Sequence, residues 1–303
     1  MNLDPATNST QAPDGLHLSS IVAGAWRMAE WGFTPQQRLA WIRQCVDLGV
    51  TSFDHADIYG GYTAEGLFGE ALALDRSVVG RIQLVSKCGI KLVAPSRPEH
   101  AIKSYDTSKQ HIIRSAENSL RSLGVERLDL LLIHRPDALM DPAIVADAFE
   151  TLRRAGKVAH FGVSNHSVSQ LALLQQYTPL ATHQFELSPL QLQALADGTL
   201  DQCIALRMRP MIWSPLAGGR LLSGADAAAQ RVQAVLAQLA HRYEAAPATL
   251  AYAWLLRHPS RPLPISGSSR IEALRAAVAA RDVELSAEDW YAIWQAGAGR
   301  EVP

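Results

Sequence analysis

The chain has 303 residues and a mass of 32.9 kDa, long enough to bury one sizeable core and within the range that α/β barrels occupy as a single domain. With 28 basic and 29 acidic residues its formal net charge is −1, so there is no field to draw in nucleic acid or a membrane surface, and a small molecule is the expected partner. Three cysteines, Cys45, Cys88 and Cys203, are odd in number and lack C-x-x-C spacing, which argues against structural zinc and suits a reducing compartment.

Residues Met1 to Gly15 carry neither a basic n-region nor an apolar h-region, and no later apolar run approaches transmembrane length. A cytoplasmic protein is the expectation, with a flexible tail over 1–16 and a barrel domain over 17–303 that ends in a C-terminal helix. Leu18 to Trp26 reads as a first strand running into a Gly-containing turn. Thr34-Pro35 is an N-cap with Pro at the first helical position, and Leu39, Ile42 and Val46 continue at helical spacing to a stop at Gly49.

A second strand ends at Asp54, and a helix follows over Thr63 to Leu74. The third strand is Ile82 to Lys87. The segment from Ile90 to Thr107, rich in Pro, Ser and charge, is long for a connection and is expected to rim a pocket. Ser108 to Leu123 is a helix with Gly124 at its end; the fourth strand, Leu128 to His134, is followed by a helix from Ile144 to Ala155. Lys157 to Ser164 and Ser167 to Gln176 form the fifth strand and helix. Leu180 to Leu187 is the sixth strand and Met208 to Trp213 the seventh. Helices over Ala227 to Tyr243 and Ala248 to His258 lead to the eighth strand, Leu263 to Ser266, and Ala287 to Ala296 forms a terminal helix packed outside.

Eight strands alternating with helices, without a linker-like break, predict an α/β fold of one parallel (β/α)8 TIM barrel. A doubly wound sheet would want Gly-x-Gly-x-x-Gly after an early strand, and neither Ile21–Ala25 nor Ser52–Asp54 is followed by one.

Loops after barrel strands build the active site, so polar residues at strand ends face one another across the mouth. Asp54, Lys87 and His134 end three successive strands, and Tyr59 lies in the loop after Asp54. Singly, each has a structural reading: a cap, an interface aromatic, a satisfied core polar group. Together they form a proton-handling set. A phenol ordinarily titrates near pH 10, a neighbouring ammonium lowers that value, and a carboxylate keeps the ammonium charged and aimed. His134 would orient a substrate oxygen.

General acid catalysis of this kind wants a hydride donor beside it. Ser164, Asn165 and Gln184, at the ends of strands five and six, suit gripping a carboxamide, and Trp213 offers a flat face for a heteroaromatic ring. The glycine-containing Ser214 to Arg220 could wrap a pyrophosphate. Gly267, Ser268 and Arg270, at a helix start after strand eight, sit where barrels bind phosphate.

The stretches Phe53-Asp-His-Ala-Asp-Ile-Tyr-Gly60, Val85-Ser-Lys87, Leu132-Ile-His-Arg-Pro136, Gly156-Lys-Val with Phe161-Gly-Val-Ser-Asn165, Trp213-Ser-Pro-Leu216 and Pro264-Ile-Ser-Gly267 resemble, in order, the motifs of the aldo-keto reductase superfamily. The segments Gly24 to Met28 and His134 to Asp137 look most like a bacterial oxidoreductase branch of it. The resemblance implies a (β/α)8 barrel binding NADP(H), and a small-molecule carbonyl compound as substrate.

The tetrad it implies is Asp54, Tyr59, Lys87 and His134, with Tyr59 as proton donor and no metal. Cofactor contacts would fall on Trp26, Ser164, Asn165, Gln184, Trp213, Ser214, Leu216, Gly218, Gly219, Arg220, Gly267, Ser268 and Arg270, the last two at the 2′-phosphate. The chain departs from the family where an Asn often precedes the strand-six Gln and is His183 here, and where Ala273 and Ala277 replace adenosine-binding residues. The rival readings are an NADP(H)-holding redox-sensing module with vestigial turnover, and a metal-dependent hydrolase with His55, Asp57 and His134 as ligands, which Lys87 at the same mouth opposes.

Overall fold

Side chains along a strand point alternately to opposite faces, and that alternation sorts this chain into two apolar layers around one closed sheet. The computed structural model describes residues 15–302. Its barrel strands are β1 (Val22–Gly24), β2 (Ser52–Asp54), β3 (Gln83–Cys88), β4 (Leu128–Ile133), β5 (Val158–Ser164), β6 (Thr182–Glu186), β7 (Met211–Trp213) and β8 (Leu263–Ser266). Each pairs in parallel with its neighbours in sequence, and Val22 opposite Ile265 closes the ring. Val22, Val85, Leu130, Leu132, Met211 and Ile265 fill the interior. Phe53, Leu84, Leu131, Phe161, Phe185 and Ile212 face outward into the layer beneath the helices.

Local signals set the helix ends. Helix Pro35–Asp47 begins with a capping box in which the Thr34 hydroxyl accepts from the Gln37 N–H and the Gln37 side chain accepts from the Thr34 N–H. Ser167 and Gln170 repeat the device for helix Val168–Gln175. Helix Lys109–Leu123 starts at Ser108 and stops at Gly124, whose φ of 66° is left-handed. The terminal helix, Ala287–Ala298, docks through Asp289, which accepts from Arg242 and from the Tyr243 hydroxyl, and through the stacked rings of Trp254 and Trp290.

The structure departs from the sequence expectation in five places. The first strand is three residues long and the seventh begins at Met211, the residues before the latter joining the barrel only through isolated bonds such as Leu263 N–H to the Pro210 carbonyl. A helix at Thr199–Ala205, too short to show a helical period, lies between β6 and β7. The long connection after β3 is tied by a small antiparallel pair, Ile90–Lys91 with Ser104–Tyr105. Residues 1–14 of the expected tail lie outside the described residues, but Leu16 is buried in the cluster inside the barrel, so packing starts before the expected boundary at 17. Among the described residues no helix is long and apolar enough to cross a membrane.

Candidate active site

The C-terminal ends of β2, β3, β4, β5 and β6 bring together the polar residues expected from the sequence. Ser52 and Asp54 face inward from β2 while Phe53 packs outward; Lys87 faces inward from β3, two residues beyond Val85. Lys87 is fully buried, and an ammonium has three hydrogens and no lone pair. All three are used: Nζ donates to Asp54 Oδ2 at 2.7 Å, to the His55 carbonyl at 2.7 Å and to the Tyr59 hydroxyl oxygen at 3.0 Å. The other Asp54 oxygen accepts from Gln184 Nε2 at 2.8 Å. His134 lies edge-on to the Tyr59 ring, centroids 5.8 Å apart, with its Nδ1 buried and unpartnered among the described residues.

Burial acts against every charge here, and the neighbours decide the outcome. For Lys87, Asp54 and Tyr59 more than offset burial and hold the ammonium above its ordinary value. For Tyr59, burial outweighs the pull of Lys87, so the phenol is raised above 10. The lowering by Lys87 expected from the sequence is overridden by the desolvation of a phenolate inside the barrel mouth. His134 is held well below the usual imidazole range by burial, with Lys87, Arg135 and Lys103 adding to it, and is neutral at physiological pH.

A second group continues the set toward β7. Asn165, left-handed at φ 60°, donates from Nδ2 to Ser164 Oγ at 2.7 Å and to the His134 carbonyl at 3.4 Å. Its Oδ1 accepts from Trp213 Nε1 at 3.0 Å, which fixes the indole plane. The Arg135 guanidinium lies 5.8 Å from the centre of that ring.

The remaining expected residues lie on the loops after β1, β7 and β8, and no hydrogen bond joins them to Lys87 or Tyr59 among the described residues. Trp26 follows β1 and is 57% exposed, with the Arg27 guanidinium over it. After β7, Ser214, Ala217, Gly218 and Gly219 have φ of 52°, 51°, 67° and 99°. Such turns can direct backbone N–H groups to one side as an anion-binding concavity, although here the Ala217 and Gly219 N–H groups already donate to the Ser214 and Leu216 carbonyls. Leu216 packs beneath this loop. Arg220 is committed elsewhere, in a two-pronged pair with Asp226 at 2.7 and 2.9 Å. After β8 come Gly267, Ser268 and Arg270, and helix Ile271–Ala279 starts without a side-chain cap, leaving N-terminal N–H groups for an anion.

Three contacts were not legible in the sequence. Lys87 is held partly by the His55 carbonyl, which no residue type reveals. The Gln184 amide is engaged by Asp54 on its nitrogen side, rather than being wholly free for a cofactor. His166 and His183 are bonded to each other behind Asn165. The His55 ring points away from the mouth, 4.5 Å from Phe68, and among the described residues no cluster of three or more His, Cys, Asp or Glu could hold a metal ion.

A sequence model of the Aldo/keto reductase family matches residues 20–297. Oxidoreductase YdhF of Escherichia coli is 50% identical over 97% of this chain and 98% of its own length. The 6-dehydroglucose reductase of Agrobacterium fabrum is 39% identical over 95% of this chain and 97% of its own. An aldo/keto reductase from Klebsiella pneumoniae, solved in complex with NADP and acetate, superimposes with a TM-score of 0.74 at 28% identity, covering 91% of this chain and 90% of that one. A parallel eight-stranded barrel with a buried Asp–Lys pair bonded to a half-buried Tyr at its mouth, matched by sequence over nearly its whole length, belongs to the aldo/keto reductase family, oxidoreductases whose cofactor is NADP(H).

Proposed function

We propose that this protein reduces an aldehyde or ketone at the expense of NADPH, with Tyr59 as the general acid. One observation carries the reading: Lys87 donates to the Tyr59 oxygen, so the phenolic hydrogen must point away from Lys87 and is free for a carbonyl oxygen. Lys87 stays charged because Asp54 pairs with it, and its ammonium stabilises the phenolate left when the proton goes to the substrate oxygen. Neutral His134, beside the phenol, orients that oxygen.

The residues present fit the cofactor. Trp213, locked by Asn165, offers a ring face; Ser164, Asn165 and the free oxygen of Gln184 suit a carboxamide; the turn with left-handed residues at 214 and 217–219 and the uncapped helix start at 270 suit its phosphates. Arg270 is exposed and free to pair with a 2′-phosphate. When bound, NADPH would supply the hydride. The Agrobacterium relative makes an oxidised sugar a substrate to test first. Three buried thiols without disulfides support a cytoplasmic location.

Replacing Tyr59 with Phe tests the reading. NADPH affinity should be unchanged, while turnover, followed by NADPH absorbance against carbonyl compounds including 6-dehydroglucose, should fall roughly 10²–10⁴-fold. Undiminished turnover would remove Tyr59 as the acid.

A further inference from the structure

Asn165 does its work from a left-handed backbone conformation, which asparagine tolerates better than most residues, and the peptide groups on both sides of it are held by hydrogen bonds. The bonds that do so come from outside the barrel wall. His183 precedes Gln184 on β6 and therefore faces outward, where it is fully buried against Phe185, ring centroids 4.9 Å apart. Its Nε2 accepts the backbone N–H of His166 at 3.1 Å. The His166 ring, itself buried, turns back so that Nδ1 lies 3.0 Å from the Ser164 carbonyl and donates to it.

The peptide groups on either side of Asn165 are thus each tied to an imidazole on the outer face. The Asn165 N–H is bound by the Gln184 carbonyl at 2.8 Å. With the backbone fixed on one side, the carboxamide has only the inner side to occupy, and there it meets Ser164 Oγ, the His134 carbonyl and Trp213 Nε1. Acceptance by Nε2 requires a neutral ring, and burial, reinforced by His166, pushes His183 down to about 3, while burial pushes His166 down to about 4.

We propose that His183, acting through His166, is a positioning residue that holds the left-handed turn at Asn165 and so presents its carboxamide to the nicotinamide end of the cofactor. The inference rests on reading Asn165 as a cofactor contact. It gives a purpose to the one departure from the family pattern that lies beside the nicotinamide site: where Asn is frequent, this chain carries a ring able to reach the His166 N–H.

The test is NADPH binding to the purified protein by calorimetry, in a cycle of His183→Leu with Asn165→Ala. Loss of the acceptor leaves a buried N–H unpaired, and His183→Leu should weaken NADPH binding about ten-fold. His183→Gln, whose amide oxygen can reach the same N–H, should recover affinity to within about three-fold of the parent. In the Asn165→Ala background His183→Leu should cost less than about two-fold, because the turn it holds no longer presents anything. His183→Met serves as the second non-accepting side chain should the Leu variant not fold.

Equal losses in the two backgrounds, or unchanged affinity in folded His183→Leu, would overturn the positioning role alone. Unchanged affinity in Asn165→Ala would overturn it together with the assignment of Asn165.

Discussion

At the scale of the residue, the feature that matters is a phenol kept protonated next to an ammonium kept charged. A buried ammonium or phenolate standing alone would neutralise. Here Asp54 and the His55 carbonyl hold Lys87 in its charged form, and Lys87 in turn makes the Tyr59 oxygen an acceptor. Because burial raises the phenol above 10, its protonated form is complete throughout the neutral range and is lost only as pH rises through that raised value. Carbonyl reduction should therefore hold a level kcat/KM from about pH 6 to 9 and decline only above about 10. Initial rates across that range check it; a decline centred near neutrality would point to an imidazole as the acid instead.

At the scale of the element, the barrel interior is closed at its mid-height by backbone as well as side chains. A Cβ on Gly162 of β5 would lie 2.5 Å from the Thr182 carbonyl oxygen of β6 and 2.7 Å from Leu132 Cδ2 of β4. The β5–β6 pairing, with Gly162 opposite Thr182, leaves that oxygen little room to move. Gly162→Ala should cost about 1–3 kcal/mol in urea denaturation. Gly66, in helix Ala64–Leu74 with nothing within 4 Å of a built Cβ, supplies the contrast, and Gly66→Ala should gain about 0.5–1 kcal/mol. Equal effects at the two positions would mean that the strands shift freely to admit a methyl group.

At the scale of the whole molecule, the polar groups that set up the mouth load the core with neutral imidazoles. Burial pushes His55 down to about 3, with Lys87 adding to it, and holds His166 and His183 at about 4 and 3. The unfolded chain binds protons on these rings as pH falls through about 6.5, while the folded chain refuses them until near 4 and 3. More protons on the unfolded state mean that stability rises with pH across that window and is lost on acidification, by up to about 1.4 kcal/mol per histidine per pH unit. The melting temperature should drop steadily from pH 7 to 5, opposed in part by Asp57 and Glu65, whose carboxyls burial raises. A melting temperature constant over that interval would show that other groups compensate.

Much of this was legible in the sequence because it is written in local patterns. The cap at Thr34 and the serines at 108 and 167 marked helix starts, and polar residues ending successive apolar runs gave Asp54, Lys87 and His134 as a set. The closed barrel followed from strand and helix alternation without a nucleotide-binding glycine turn. What the tertiary structure alone decided are effects between residues distant in the chain. Desolvation, which overrides Lys87 at Tyr59, depends on what surrounds the phenol. The His183 bond to the His166 backbone spans seventeen positions and involves an N–H that every residue but proline carries. Residue types and spacing record which groups a chain owns; which backbone groups they reach, and how much water is left around them, exist only once the barrel has closed.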